Sequence, residues 1–352
     1  MPKGPGNLIT DVPGVVVGHC TLSAGNVQTG VTAILPHGGD LFHEKCPAAS
    51  HVVNGFGKSA GLMQINELGN IETPLILTNT LSVGDAFSAC VRYMMRRNEG
   101  IGREEGTVNP VILECNDSFL NDIRGMHIKE EHVLEAINGA GEDFALGAVG
   151  AGRGMTCYGL KGGIGSASRV FEIDGREYVI GALVMTNFGH LEDLVICGDR
   201  IGRRLTGGGE TEAEERCEMS DGVPGDRPEA AERDDPSDEE PKGSCVIVLA
   251  TDAPVSSRQL QRIARRAQSG LARTGGITGG GSGEVVVAFG TGNRMASAEP
   301  VWHPSIMNDN LLDPLFRGAT ETVEEAIIRS MTEAETVTGI DGNTRISLSE
   351  LI

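Results

Sequence analysis

The residues best placed to do chemistry in this 352-residue chain meet at one junction, Lys242-Gly243-Ser244-Cys245. Before it, residues 207–241 hold fourteen Asp/Glu against three Arg, with four Pro and five Gly. After it begins Cys245–Thr251, a short β-rich apolar run of the kind that forms a buried strand. A Gly-Ser peptide at the mouth of such a strand can cut itself. The Ser244 hydroxyl attacks the Gly243 carbonyl, an ester replaces the amide, and water releases a new N-terminus at Ser244. Glycine suits the position because, lacking Cβ, it tolerates a strained backbone that exposes its carbonyl. The liberated α-amino group, with an ordinary pKa of about 7.7–8.0, can accept the proton of its own hydroxyl near neutral pH. One residue would then be both nucleophile and base. Gly-Ser also joins ordinary loops to strands, so the dipeptide by itself leaves both readings open.

Other motifs fail on inspection. Gly57-Lys58-Ser59 would need a glycine at position 52 to be a phosphate loop, and that position is Val52. Gly150-Ala-Gly152-Arg-Gly154 is followed by Met155 where the dinucleotide fingerprint needs glycine. Asp341-Gly-Asn343 opens like a calcium loop, but Arg345 and Ile352 fall on ligand positions. The eight histidines show no H-E-x-x-H spacing, and the eight cysteines form no C-x-x-C pair. The expectation is chemistry without a metal or organic cofactor, with most cysteines serving as buried small hydrophobes in a reducing compartment.

Charge narrows the partners. Lys and Arg total 29 against 49 Asp and Glu, a formal charge of -20. Such a surface does not displace counterions from nucleic acid or bind an anionic membrane. The N-terminus lacks the apolar core of a signal peptide, and no run approaches the length of a membrane span. A cytoplasmic protein is expected. Residues 207–241, net −11 from 3 − 14, have too little to bury to offset their ordering entropy, and read as an acidic disordered loop inside one domain.

The remaining elements must position the junction. Pro110–Glu114, Val179–Thr186, Cys245–Thr251 and Glu284–Phe289 read as buried strands. Ser256–Leu271 reads as one helix, with Leu260, Ile263, Ala264, Ala267 and Leu271 on a shared face. A second runs from about Val323 to Ala334, and a third through Asp85–Arg96. Strands interleaved with helices, and aromatics at only 4%, predict a layered α/β protein with an aliphatic core.

Gly243-Ser-Cys-Val-Ile-Val-Leu-Ala-Thr-Asp-Ala-Pro254 closely resembles the cleavage-site signature of the L-aminopeptidase/D-esterase family, which includes the β-peptidyl aminopeptidases. Further matching stretches are Asn7–His19, Pro74–Gly84, Gly150–Tyr158, Lys161–Ser168 and Gly281–Glu284. The resemblance implies a four-layer αββα sandwich akin to N-terminal-nucleophile hydrolases. It implies self-cleavage of the single domain 1–352 into chains 1–243 and 244–352, in a homo-oligomer, a tetramer or larger. It also implies roles: Ser244 as nucleophile, Asn187 holding the oxyanion, Ser282 and Glu284 as polar partners of the nucleophile and its amine. Glu114 would receive the free amino group of a small peptide, amino amide or amino ester. The best-known members carry Tyr-Asp-Gly where this chain reads Asn116-Asp117-Ser118, so Asn116 bears on substrate range. Competing readings are an acyltransferase of related architecture, disfavoured because those use Thr as nucleophile, and a non-catalytic scaffold whose acidic arm binds a basic partner.

Overall fold

The computed structural model describes residues 1–206 and 243–352. The expected acidic loop, 207–241, lies outside the described residues. The principal strands, in chain order, are β1 (Val16–Ala24), β2 (Val27–Leu35), β3 (Glu44–Gly55), β4 (Leu75–Asn79), β5 (Val111–Cys115), β6 (Ile164–Ile173), β7 (Arg176–Asn187), β8 (Ser244–Thr251) and β9 (Gly283–Gly290). The principal helices are α1 (Val83–Arg97), α2 (Glu130–Asn138), α3 (Ser257–Ala264), α4 (Ala267–Arg273) and α5 (Asp313–Thr332).

Two sheets result. The smaller has the order β1-β2-β4-β5, and the larger runs β3-β9-β8-β7-β6. Two-residue strands extend the β3 side of the larger sheet. The parallel neighbours β4–β5 and β8–β9 are linked by helical crossovers through α1 and through α3–α4, as parallel pairing requires. Alternation along the strands then sorts the side chains into layers. Val17, Ile34, Leu77 and Leu113 of the small sheet meet Leu183, Met185, Val246, Val248 and Val287 of the large one. The opposite face of the large sheet, with Ala182, Val184, Ile247 and Val286, is covered by α3, α4 and α5 through Leu260, Leu271 and Val323. The outer face of the small sheet, with Val31, Ile76 and Ile112, is covered by Ala89 and Cys90 of α1 and Val133 of α2. The architecture is the expected αββα sandwich. Every residue of β8 is buried, the natural fate of an apolar run covered on both faces.

Boundaries differ from expectation in ways that have local causes. The helix read over Ser256–Leu271 is two helices. At the join the Arg266 N–H donates to Ile263 O at 2.9 Å, an i→i−3 bond that tightens the last turn of α3. The Arg266 guanidinium then sits 4.2 Å from the Phe316 ring of α5. Helix α5 starts ten residues before the expected Val323, with a proline at its N-terminus, where the missing N–H costs nothing. It lies directly on β6: a Cβ at Gly165 would stand 1.8 Å from Ala326 O. Among the described cysteines, Cys20, Cys46, Cys90, Cys115, Cys157 and Cys245 are buried and Cys197 is exposed.

Candidate active site

β7 and β8 end side by side, and their register pairs Asn187 with Ser244. Residues directly opposite in an antiparallel pair share a face with Cβ atoms about 4.5–5.5 Å apart. The Ser244 hydroxyl is therefore beside the Asn187 amide, pointing between the two sheets as Val246 and Val248 do. It is buried, and apart from the Cys115 thiol that it approaches, its Oγ has no hydrogen-bond partner among the described residues. Buried hydroxyls rarely go unsatisfied, and this one shares that state with the Ser82 and Thr156 hydroxyls. The Cys115 thiol, donating to Met185 O at 3.6 Å, is the nearby sulfur. Burial pushes it well above the ordinary thiol range, so it stays neutral and offers no competing nucleophile.

Asn187 is oriented from behind. Its Oδ1 accepts the backbone N–H of Thr156 at 3.0 Å, which leaves the Nδ2 hydrogens free to donate on the other side. The Gly243 carbonyl accepts the Gly283 N–H at 3.0 Å, which polarises the Gly243–Ser244 peptide. Glycine is needed there for space, since a Cβ would lie 3.0 Å from Phe188 Cβ and 3.1 Å from Phe188 Cα.

Ser282 and Glu284 approach from β9. Both are buried, and Glu284 lies within the strand rather than in the turn before it. Ser282 Oγ stands 2.9 Å from Glu284 Oε2 and 2.8 Å from Gly279 O. A hydroxyl has one proton to give, so the second contact is satisfied when the Glu284 carboxyl carries one. Burial favours that state, raising the Glu284 pKa against the opposing pull of the Ser282 hydrogen bond. The turn is held by Phe56 N–H on Ser282 O at 3.2 Å, with the Asn54 amide on the same oxygen.

A cavity of about 240 Å³ opens here, lined by Phe188, His190, Gly243, Ile277, Ser282 and Glu284. Glu284 is in register with Cys245, whose side chain faces the helices, whereas Ser244 faces the opposite sheet. The fold thus brings Ser282 and Glu284 to the Gly243–Ser244 peptide rather than to the Ser244 hydroxyl.

Glu114 and Asn116 are elsewhere. Glu114 is buried near the end of β5. Its Oε1 accepts the Lys58 N–H at 2.8 Å and its Oε2 the Thr80 hydroxyl. It does not line the cavity but backs the Gly57–Lys58 loop, whose Gly57 Cα lies 3.4 Å from a Cβ built at Gly283. The Asn116 side chain accepts the Ser118 N–H at 3.0 Å, an Asx turn at an exposed tip. Beneath it Asp117 is fully buried, with its pKa raised to about 6 by burial against hydrogen bonds from Thr29, Asn121 and Asn79. Sequence reasoning gave no role to Thr156 or Phe188. Thr156 acts through its backbone, so no side-chain signal existed to find it.

The sequence pattern of peptidase family S58 matches residues 7–345. A β-peptidyl aminopeptidase of Sphingosinicella microcystinivorans is 37% identical, over 97% of this chain and 85% of that one. Among solved structures, a Pyrococcus horikoshii protein superposes with TM-score 0.87 at 48% identity, covering 99% of this chain and 94% of that one. The L-aminopeptidase D-Ala-esterase/amidase of Ochrobactrum anthropi, described as a variant of the Ntn-hydrolase fold, superposes with TM-score 0.84 at 34% identity, covering 99% and 92%.

Proposed function

Because the chain belongs to peptidase family S58 and is an aminopeptidase of the Ntn-hydrolase type, we propose that Ser244 is its nucleophile, created by self-cleavage after Gly243. The observation that carries the reading is the unpartnered Ser244 hydroxyl beside the free face of the Asn187 amide. In the intact chain Ser244 Oγ attacks the Gly243 carbon, and the peptide nitrogen leaves as the Ser244 amine while an ester forms. Water then hydrolyses the ester, giving chains 1–243 and 244–352.

In turnover the Ser244 amine removes the hydroxyl proton, and Oγ adds to the substrate carbonyl. Asn187 Nδ2 donates to the oxyanion, an interaction typically contributing about 10²–10³ in rate. The amine returns its proton to the leaving nitrogen or oxygen. Water attacks the acyl-enzyme and restores the serine. Ser282 and Glu284, lining the cavity that Gly243 also lines, hold the new amine once the preceding residue has departed. No metal or organic cofactor is required, since nucleophile and base are one residue.

Peptides and amides are the substrate class of such aminopeptidases. We extend this to small peptides, amino amides and amino esters, with Glu114 anchoring their free ammonium. Asn116, at the exposed tip beyond Glu114, is proposed as a substrate contact on the family resemblance. A cytoplasmic homo-oligomer of four or more chains completes the reading, on the family resemblance and a run of buried thiols. No helix among the described residues is long and apolar enough to cross a membrane.

Incubating purified protein and weighing it intact tests the core of this. Two masses corresponding to 1–243 and 244–352 are expected, with Edman sequencing starting at Ser244. A chain that stays whole while hydrolysing substrate would overturn the mechanism.

A further inference from the structure

Lys161 is fully buried, and its ammonium donates to three backbone carbonyls: Gly152 O at 3.0 Å, Met155 O at 2.8 Å and Gly162 O at 2.6 Å. No carboxylate lies within ion-pair distance among the described residues. Burying a cation without a counter-ion is expensive, and burial pulls its pKa down; against this, three carbonyl acceptors need three N–H groups, which only the charged ammonium supplies.

The carbonyl of Met155 and the N–H of Thr156 are two ends of one peptide group. The first accepts from Lys161 Nζ at 2.8 Å, and the second donates to Asn187 Oδ1 at 3.0 Å. The turn is fixed against the strand end by further bonds. Gly162 N–H donates to Met155 O at 3.0 Å, Thr186 N–H to Gly163 O at 3.0 Å and Tyr158 N–H to Phe188 O at 2.7 Å.

We propose that Lys161 is a positioning residue for catalysis, polarising the Met155–Thr156 peptide and through it the Asn187 amide that faces the oxyanion. Positive charge at the carbonyl end strengthens the peptide N–H as a donor. A stronger bond at Asn187 Oδ1 draws electron density across the side-chain amide and sharpens its Nδ2 hydrogens. Hydrogen bonds in series reinforce one another in this way where water is excluded. The inference rests on the proposed role of Asn187 and extends it one residue further back.

A double-mutant cycle tests it, with β-alanine p-nitroanilide as probe and rates normalised to the cleaved C-terminal chain. Lys161→Met should lower kcat about 10–100-fold and leave KM within about threefold. Asn187→Ala alone should cost about 10²–10³-fold. Combined, the two should cost no more than Asn187→Ala alone, within about threefold, because the lysine has lost its relay. Lys161→Gln, which keeps one N–H donor, should fall between Met and wild type. Losses that multiply, or a loss confined to KM, would overturn the proposal while leaving Asn187 in place. Full activity in Asn187→Ala would instead remove the oxyanion reading itself. Should both Lys161 variants fail to fold, the residue is a structural anchor and the proposal falls.

Discussion

Two recesses of this molecule differ in size and in what their polar groups are doing. The larger, about 980 Å³, lies over β6 and α5 and is lined by Lys3, Arg169, Arg273, Arg317, Glu321, Glu324 and Glu325. Every one of those charges is spent on a neighbour. Arg169 meets Glu321 at 3.1 Å and Glu325 at 2.7 Å, Lys3 meets Glu325 at 2.6 Å, and Arg273 meets Glu324 at 2.8 Å. Arg317 and the Met1 ammonium take the remaining sides of Glu321 at 2.7 and 2.8 Å. The smaller recess, about 240 Å³ at the mouth of β8, holds fewer polar groups, and they are less settled. In its lining, burial raises the Glu284 pKa; beside that lining, at the paired ends of β7 and β8, the Asn187 amide has a free face and Ser244 Oγ lacks a nitrogen or oxygen partner. Volume marks where solvent fits. Unspent hydrogen-bonding capacity, held in place by buried backbone, marks where chemistry is expected.

The sharpest way to break that contrast is to remove the Ser244 hydroxyl. Ser244→Ala should leave a single uncut chain and lower activity by on the order of 10⁴-fold or more. Its melting temperature should stay within a few degrees of wild type, since the lost oxygen has only a weak thiol contact to give up. An enzyme still cut and active would move the site elsewhere, the large groove included.

Glu114→Gln comes next. A carboxylate pairing with a substrate ammonium in a dry site is worth about 2–5 kcal/mol when its partner is left alone, so kcat/KM towards free-amine substrates should drop about 10²–10³-fold. Self-cleavage should proceed normally, because that step has no ammonium to bind. N-acetylated substrates should be poor for wild type and less disadvantaged in the variant. Equal hydrolysis of acetylated and free-amine substrates by the wild type would deprive Glu114 of its role.

The pH profile is a smaller effect with a definite sign. Only the neutral Ser244 amine accepts a proton, so kcat/KM should fall about tenfold per pH unit below the amine's titration and level off above it. A profile flat from pH 6 to 9 would exclude the amine as base.

The groove should respond through stability alone. Arg169→Met leaves Glu321 and Glu325 with fewer partners and should cost about 1–3 kcal/mol by denaturant titration, with activity within twofold of wild type. Burial pushes the Glu321 pKa up, but the Met1 ammonium, Arg317 and Arg169 outweigh it and hold it at about 2. A carboxylate depressed on folding stabilises above its unfolded pKa and loses that contribution as pH falls through the folded one. The melting temperature should therefore decline from about pH 4.5 to 2, and decline less in Glu321→Gln. A large catalytic defect in either groove variant would blur the distinction between the two recesses.

What the sequence determined by itself was local. Runs such as Cys245–Thr251 announce strands because seven consecutive positions tolerate burial, and the amphipathic face of Ser256–Leu271 announces helix. The Gly243-Ser244 junction is legible because its chemistry needs adjacent residues only. Even the break at Arg265–Arg266 and the early start of α5 are modest adjustments of patterns already visible. Tertiary structure decided what depends on register and on which face a side chain takes. It set Asn187 opposite Ser244 across 57 positions of sequence, turned Ser282 and Glu284 to the far side of the Gly243–Ser244 peptide, and faced Glu114 towards Lys58 and Thr80. It also placed the Lys161 ammonium behind the peptide that holds Asn187. A one-residue slip in any strand would reverse these outcomes without altering composition or periodicity. They are written in packing between distant segments, and only the folded chain can express them.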